Sequence, residues 1–277
     1  MFQWLNPQRR LIRWPLKTAF LLVLVLIVMF PRLDLLPRTI DRWADTNALV
    51  DPDSPALEPL VEEFELARNP DWTRKELMNH IEAFVYYKIP YARDWNIWLN
   101  VDYIPTVEEA IEKGREDCDG RAVVAASMLR RYGFDAILVG NFDHMWVKTE
   151  IGETLGPSGT ALISHTDNGD KIDWGAIWDL PDDFAEGMSI FPLWREIIIA
   201  VGIWLILAGP KVHRRYLLLW LLPAILGLII LRDGGRSDDP ENLKTWAGSL
   251  LMLGTVAGML IQTRKSGGNR KRPAGFF

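Results

Sequence analysis

Gly114-Arg115-Glu116-Asp117-Cys118-Asp119-Gly120-Arg121-Ala122 decides how this chain is read, because it places the only cysteine of 277 residues at the start of a predicted helix. Asp117 or Asp119 supplies the cap and no proline follows. Ala122, Ala125, Ala126 and Leu129 form an apolar stripe, and Gly133 gives the stop. A thiol at that end of a helix sits in the positive field of the dipole, which favours thiolate. Asp117 and Asp119 oppose the effect unless their carboxylates are spent on backbone amides of the cap. A lone thiol so placed, with a histidine downstream, is a candidate nucleophile.

The histidine lies in the next segment. Phe134 to Val139 reads as a strand, Asn141-Phe142-Asp143 as a turn, and His144 to Thr149 as a second strand antiparallel to the first. His144 then stands at a strand's beginning, where a helix packed on the hairpin brings its thiol within reach of the imidazole. His80 falls in another helix, His165 in a polar loop and His213 among basic residues, so none of them competes for the role. With one cysteine there is no disulfide within the chain, and no CxxC or HExxH spacing suggests zinc.

Gly114-x-x-Asp117-Cys118, a helix of small residues, Leu129-Arg130-x-x-Gly133, a strand and His144-x-Trp146-Val147 together resemble the transglutaminase-like superfamily, which includes bacterial transglutaminase-like cysteine peptidases. The resemblance spans roughly Thr73 to Gly159 and is strongest from Asp102 to Lys148. It implies a papain-like α+β domain, a nucleophile helix packed on a small antiparallel sheet. It also implies Cys118 as nucleophile on an amide or ester carbonyl, His144 as base, and an aspartate on the following strand that orients the imidazole. Here Gly156 occupies about the place of that aspartate. Asp173 is the substitute if 154–170 is an insertion, and a Cys/His dyad without an orienter is the alternative. The resemblance further implies a substrate cleft along the aromatic stretch Tyr91 to Tyr103, with Trp95 or Trp98 at the oxyanion; core packing is the competing role for both. The backbone amide of Cys118 is the other oxyanion donor.

Four apolar segments flank or follow this region: Leu16 to Phe30, Ile197 to Ala208, Tyr216 to Leu231 and Thr245 to Ile261. A helical span needs about 20 residues, and Trp14, Trp194 and Trp246 extend the short ones at the interfaces. Met29-Phe30-Pro31-Arg32 offers no small-residue cleavage site, so the first segment reads as an uncleaved anchor. Basic clusters at Arg9 to Lys17, Lys211 to Arg215 and Arg264 to Arg272 fall on one side of four spans, which puts both termini in the cytoplasm. The region between spans one and two, residues 32–190, then faces outward. It carries 31 acidic and 15 basic residues, a net charge of −16 that the whole-chain value of −5 conceals. That charge excludes nucleic acid as a partner and gives anionic polymers no support as substrates.

The expected organisation is residues 1–31 as cytoplasmic start and anchor, 32–72 as a proline-punctuated lead-in, 73–190 as the transglutaminase-like domain, 191–262 as three spans, and 263–277 as a basic tail. Thr73-x-x-Glu76 and Thr106-x-x-Glu109 are capping boxes, and Leu77, Ile81, Phe84 and Val85 form the face turned to the Cys118 helix. Ser158 to Asp170 reads as loop, and 172–177 as an edge strand. Lys17, Arg195 and Glu196 are expected at span edges, snorkelling, which leaves transport the weaker reading. Gly254-x-x-x-Gly258 is a short close-packing motif. No Walker A, GxGxxG or GxSxG motif is present, so no cofactor is expected. The expectation is a membrane-anchored cysteine peptidase or amidase with a peptide or protein substrate. The rival is an inactive transglutaminase-like module that binds envelope peptides or scaffolds a membrane-protein partner.

Overall fold

The computed structural model describes residues 10–141, 144–156, 163–166, 169–172, 180–207, 214–236 and 243–268. The chain divides into two compact units, one of residues 30–177 and one joining residues 1–29 to 178–277.

In the first unit, helices α2 (Leu36–Ala44), α3 (Glu58–Ala67), α4 (Arg74–Lys88), α5 (Asp94–Ile97), α6 (Val107–Lys113) and α7 (Cys118–Arg131) precede strands β1 (Ile137–Asn141), β2 (Met145–Thr149), β3 (Gly152–Thr154), β4 (Ile163–Thr166) and β5 (Gly169–Ile172). Both capping boxes form. The Thr73 and Thr106 hydroxyls accept from the Glu76 and Glu109 amides, and the two glutamates reach back to the cap amides. α7 begins at its cap Asp117, which accepts from Asp119 N at 3.1 Å. It is buried from Asp119 through Leu129, on every face rather than along one stripe. Small side chains explain this, since α4, α6 and the sheet all pack on it. Leu77, Ile81 and Val85 of α4 are buried in the same core as Val123, Ala126 and Leu129.

The sheet is antiparallel, in the order β3-β2-β1-β4-β5, with Gly140 opposite Met145 and Val147 opposite Thr154. The polar run expected as loop is instead a hairpin: β4 and β5 pair Ile163 with Ile172 and Thr166 with Gly169. His165 therefore lies on a strand.

The second unit contains α1 (Arg10–Met29), α8 (Leu180–Ile190), α9 (Leu193–Leu207), α10 (Arg214–Gly234) and α11 (Leu243–Gly268). The segment 180–190, expected in the outer domain, belongs here because α8 packs on α10 and α11. Among the described residues, Ile12–Met29 and Leu243–Gln262 are long and apolar enough to cross a membrane. Phe184–Ile190 with Leu193–Ile206, bent by 117°, makes a third if counted as one broken span. Arg232 holds that bend, donating to Met188 O (2.7 Å), Ser189 O (3.0 Å) and Phe191 O (3.1 Å) while pairing with Glu196 at 2.5 Å. Lys17, Arg195 and Glu196 do not snorkel; all three are packed inside the unit, at 5%, 3% and 5% exposure. In the glycine motif of α11 only Gly258 meets a neighbour closely. A Cβ there would lie 2.2 Å from the Trp220 ring, whereas Gly254 faces open space.

Candidate active site around Cys118

The turn that delivers Cys118 is pinned by backbone pairing to a segment 25 residues earlier. Glu116 N donates to Pro90 O at 3.2 Å, and Ala92 N donates to Glu116 O at 3.1 Å. This brings Asp94, at the start of α5, beside the start of α7. Gly120 lies under the Glu116 side chain so closely that a Cβ would stand 2.5 Å from Cγ. Glycine is required there for close approach rather than for its backbone angles.

Carboxyls crowd this helix start. Glu116 is fully buried, and its oxygens accept the Trp98 indole N–H at 3.1 and 3.4 Å. Burial, then the Asp117 charge, pushes Glu116 up to about 8. Asp94 is 1% exposed; its Oδ2 accepts from Tyr103 N at 2.5 Å, while Oδ1 has no donor. Burial and then Asp117 hold Asp94 well above the usual carboxylate range, so that it keeps its proton and shares it with Asp117. Asp117 itself is pushed up to about 6, chiefly by burial. Asp119 is also raised, by burial first and Asp117 second.

Cys118 is half-buried, and its thiol donates to Asp119 Oδ1 at 3.4 Å. Burial, Asp119 and Asp117 push the thiol up, against the lowering effect of the Met145 amide, which donates to the sulfur. The expected dipole-stabilised thiolate is therefore outweighed. In the resting site the sulfur keeps its proton, because burial first and then the neighbouring aspartates disfavour the thiolate.

The sulfur's Met145 donor is the residue next to His144, because α7 packs on β2. His144 Nε2 lies 2.7 Å from Leu155 O. A carbonyl only accepts, so Nε2 carries a proton. Leu155 takes the left-handed conformation, φ 61°, a cost of about 1 kcal/mol for a residue with a Cβ. Its N–H donates to Glu82 Oε1 at 3.1 Å, and its side chain is buried in the core. The carbonyl that faces His144 Nε2 belongs to the residue before Gly156. Gly156 places no side chain there, and a Cβ at that position would meet open space. Asp173 lies outside the described residues, as does His213.

Trp98 belongs to the core with Leu35 and Tyr103, and its N–H is committed to Glu116, which corrects its expected place at the oxyanion. Trp95 is half-buried beneath the Arg93 guanidinium, 5.3 Å from the ring centroid. Tyr86 and Tyr91, both exposed, flank the Arg121 guanidinium at 4.7 and 5.3 Å. His80 stacks on Trp72 at 3.7 Å, away from the thiol's partners.

Among the described residues, two groups of ligand atoms have the spacing to hold a cation: Asp117, Cys118 and Asp119, and Asp94, Glu116 and Asp117, each within 4.8 Å. The second is all oxygen, the donor set suited to a hard divalent ion. Sequence reasoning missed Glu82, Asp94 and Leu155. The only available hint for Asp94 was its place ahead of a helix-like run, and a backbone carbonyl has no sequence signature.

Compared with known proteins, the chain matches no family model, and no curated protein is similar to it.

Proposed function

We propose that the protein is a membrane-anchored cysteine hydrolase that opens amide bonds of a peptide or protein through an acyl-enzyme on Cys118, with His144 as base. The observation that supports this most directly is the pairing of two local arrangements. α7, which begins at Cys118, packs on β2, which begins next to His144, and the Nε2 proton of that ring is directed at Leu155 O. The motif resemblance to transglutaminase-like cysteine peptidases points the same way.

A raised thiol requires proton transfer with attack rather than a resting ion pair. As sulfur bonds to the carbonyl carbon, the thiol proton passes to His144 Nδ1 and the C=O electrons move onto oxygen, toward the Cys118 amide at the helix start. Collapse breaks the C–N bond, and the imidazolium proton goes to the departing amine. Water then attacks the thioester, gives one proton to His144, and releases the carboxylic acid as the sulfur recovers its proton. Hydrolysis is favoured over cross-linking because water is freely available outside the membrane. The placement of the basic clusters supports four spans with both termini cytoplasmic and the acidic domain extracytoplasmic.

A second reading is a non-catalytic module that binds envelope peptides or organises a membrane complex. Gly156 and the raised thiol favour it. Intact-mass analysis of full-length protein incubated with envelope-derived peptides and quenched in acid separates the two. A hydroxylamine-labile adduct in wild type, absent in Cys118→Ala, is the expected result. Peptide retention without any adduct supports the module instead.

A further inference from the structure

We infer that Arg121, between Tyr86 and Tyr91, is a carboxylate-binding subsite beside Cys118, so that the preferred substrate is a peptide with a carboxylate within about two residues of the amide under attack. What the carboxylate belongs to rests on the hydrolase reading above; the binding of the group itself does not.

Arg121 follows Cys118 by three residues on α7, so the two side chains leave the same face of the helix, with Cβ atoms about 5–6 Å apart. A long side chain on a helix leans towards the N-terminal turn, which here is the turn that carries the sulfur. Backbone pairing completes the juxtaposition. Tyr91 bridges Glu116, and Arg121 Nε donates to Ile89 O at 2.8 Å, so the segment after α4 is held beside the helix start. Negative charge on Cys118 acts on Tyr86, Tyr91 and Arg121 alike.

Arg121 is 8% exposed, yet the fold spends only its Nε; among the described residues neither Nη group has an acceptor. The Tyr86 and Tyr91 rings stand 4.7 and 5.3 Å from its Cζ and compensate the charge. They supply no acceptor in the guanidinium plane, where the remaining N–H groups form a fork that matches a carboxylate. Both tyrosines are exposed at their other edges, which keeps this place open to a ligand. Tyr91, pushed up to about 12 by burial and then by Asp117, keeps its hydroxyl proton and stays a donor. Elsewhere around the thiol the field repels anions, since Asp117 and Asp119 flank it in a strongly acidic domain. An anionic group therefore reaches Cys118 only where a cation is reserved for it.

The test uses full-length protein in nanodiscs and alkylating peptide analogues, since the single cysteine makes alkylation report Cys118 alone. N-iodoacetylglycine carries a terminal carboxylate, the α-amide of N-iodoacetylaspartate a side-chain carboxylate, and N-iodoacetylglycinamide neither. Each rate at pH 8 is divided by that with free N-acetylcysteine. In wild type at least one carboxylate reagent is expected to react about tenfold faster than the neutral one and to saturate, and which of them does so names the source of the group. Arg121→Gln is expected to bring the ratio to about one or below. Arg121→Lys, which keeps a charge and loses the fork, is expected to retain only about a threefold preference, and it serves if the glutamine variant does not fold. Equal corrected rates in wild type, or a preference that the Arg121 variants leave unchanged, overturn the inference. An Arg121-dependent preference without a thioester adduct on any peptide leaves the subsite standing and removes the hydrolase reading. Adducts formed equally on peptides with and without carboxylates, together with equal alkylation rates, remove the subsite and leave the hydrolase.

Discussion

Glu109 and Glu116 are seven residues apart, both buried or nearly so, and the molecule treats them in opposite ways. Glu109 is surrounded by donors: Arg42 Nη1 at 2.7 Å, the Tyr103 hydroxyl at 2.9 Å and the Thr106 amide at 3.0 Å. Burial pushes its carboxyl up, but Arg42, the amide and the hydroxyl outweigh it, and Glu109 stays below the usual range. Glu116 has the Trp98 indole N–H, the Asp117 amide and a ring of other acids, with no cation among the described residues. The same domain can therefore pair a carboxylate fully when the task is to hold α2 against α6. Beside Cys118 it does not, and local stability is given up where the chemistry is proposed.

The largest test of this contrast is Glu109→Ala. Removing the carboxylate takes the acceptor from the Tyr103 hydroxyl and leaves Arg42 Nη1 with the Ile104 carbonyl alone, and the cost is expected to be about 3 kcal/mol in thermal or denaturant unfolding. A neutral result would mean that the Glu109 network is not the structural region of the pair.

Glu116→Gln should act in the opposite direction. The amide oxygen still accepts from Trp98, and the group no longer ionises. In wild type, the native state keeps a proton on Glu116 that the unfolded chain releases, so this contribution is full below about pH 4.5 and is lost as pH rises towards about 8. The variant is expected to be more stable than wild type by about 2 kcal/mol at pH 8 and equal to it near pH 4, read from unfolding midpoints across pH. A variant less stable than wild type at pH 8 would show that Glu116 has a cationic partner in solution.

The smallest effect is on reactivity. Asp119→Asn removes the carboxyl that accepts from the thiol and raises it, which should lower the thiol and speed iodoacetamide alkylation at pH 8 by about fivefold. No change would transfer the control of the thiol to desolvation alone.

Much of the first unit was legible from local signals. The capping boxes at Thr73 and Thr106, the Asp117 cap and the small-residue run after Cys118 each act within a few residues, and each helix begins where they place it. His144 could be placed ahead of a strand because the alternation after it is local too. What was not legible is long-range or backbone-borne. Glu82 meets Leu155 across 73 positions, and a backbone carbonyl such as the one facing His144 is common to every residue type. Asp94 enters the site only through the pairing of 90–92 with Glu116. The β4–β5 hairpin was missed because its polar residues suggested loop, and the burial of Arg195 and Glu196 because the bend that encloses them depends on Arg232.

That bend bears on how the second unit is assembled during synthesis. The carbonyls of Met188, Ser189 and Phe191 take hydrogen bonds from a guanidinium that emerges from the ribosome some forty residues after them. Until α10 has arrived, those oxygens need water, which keeps the corner between α8 and α9 at a hydrated boundary. Arrival of α10 is then the event that lets the corner settle, so the order of translation becomes an order of folding.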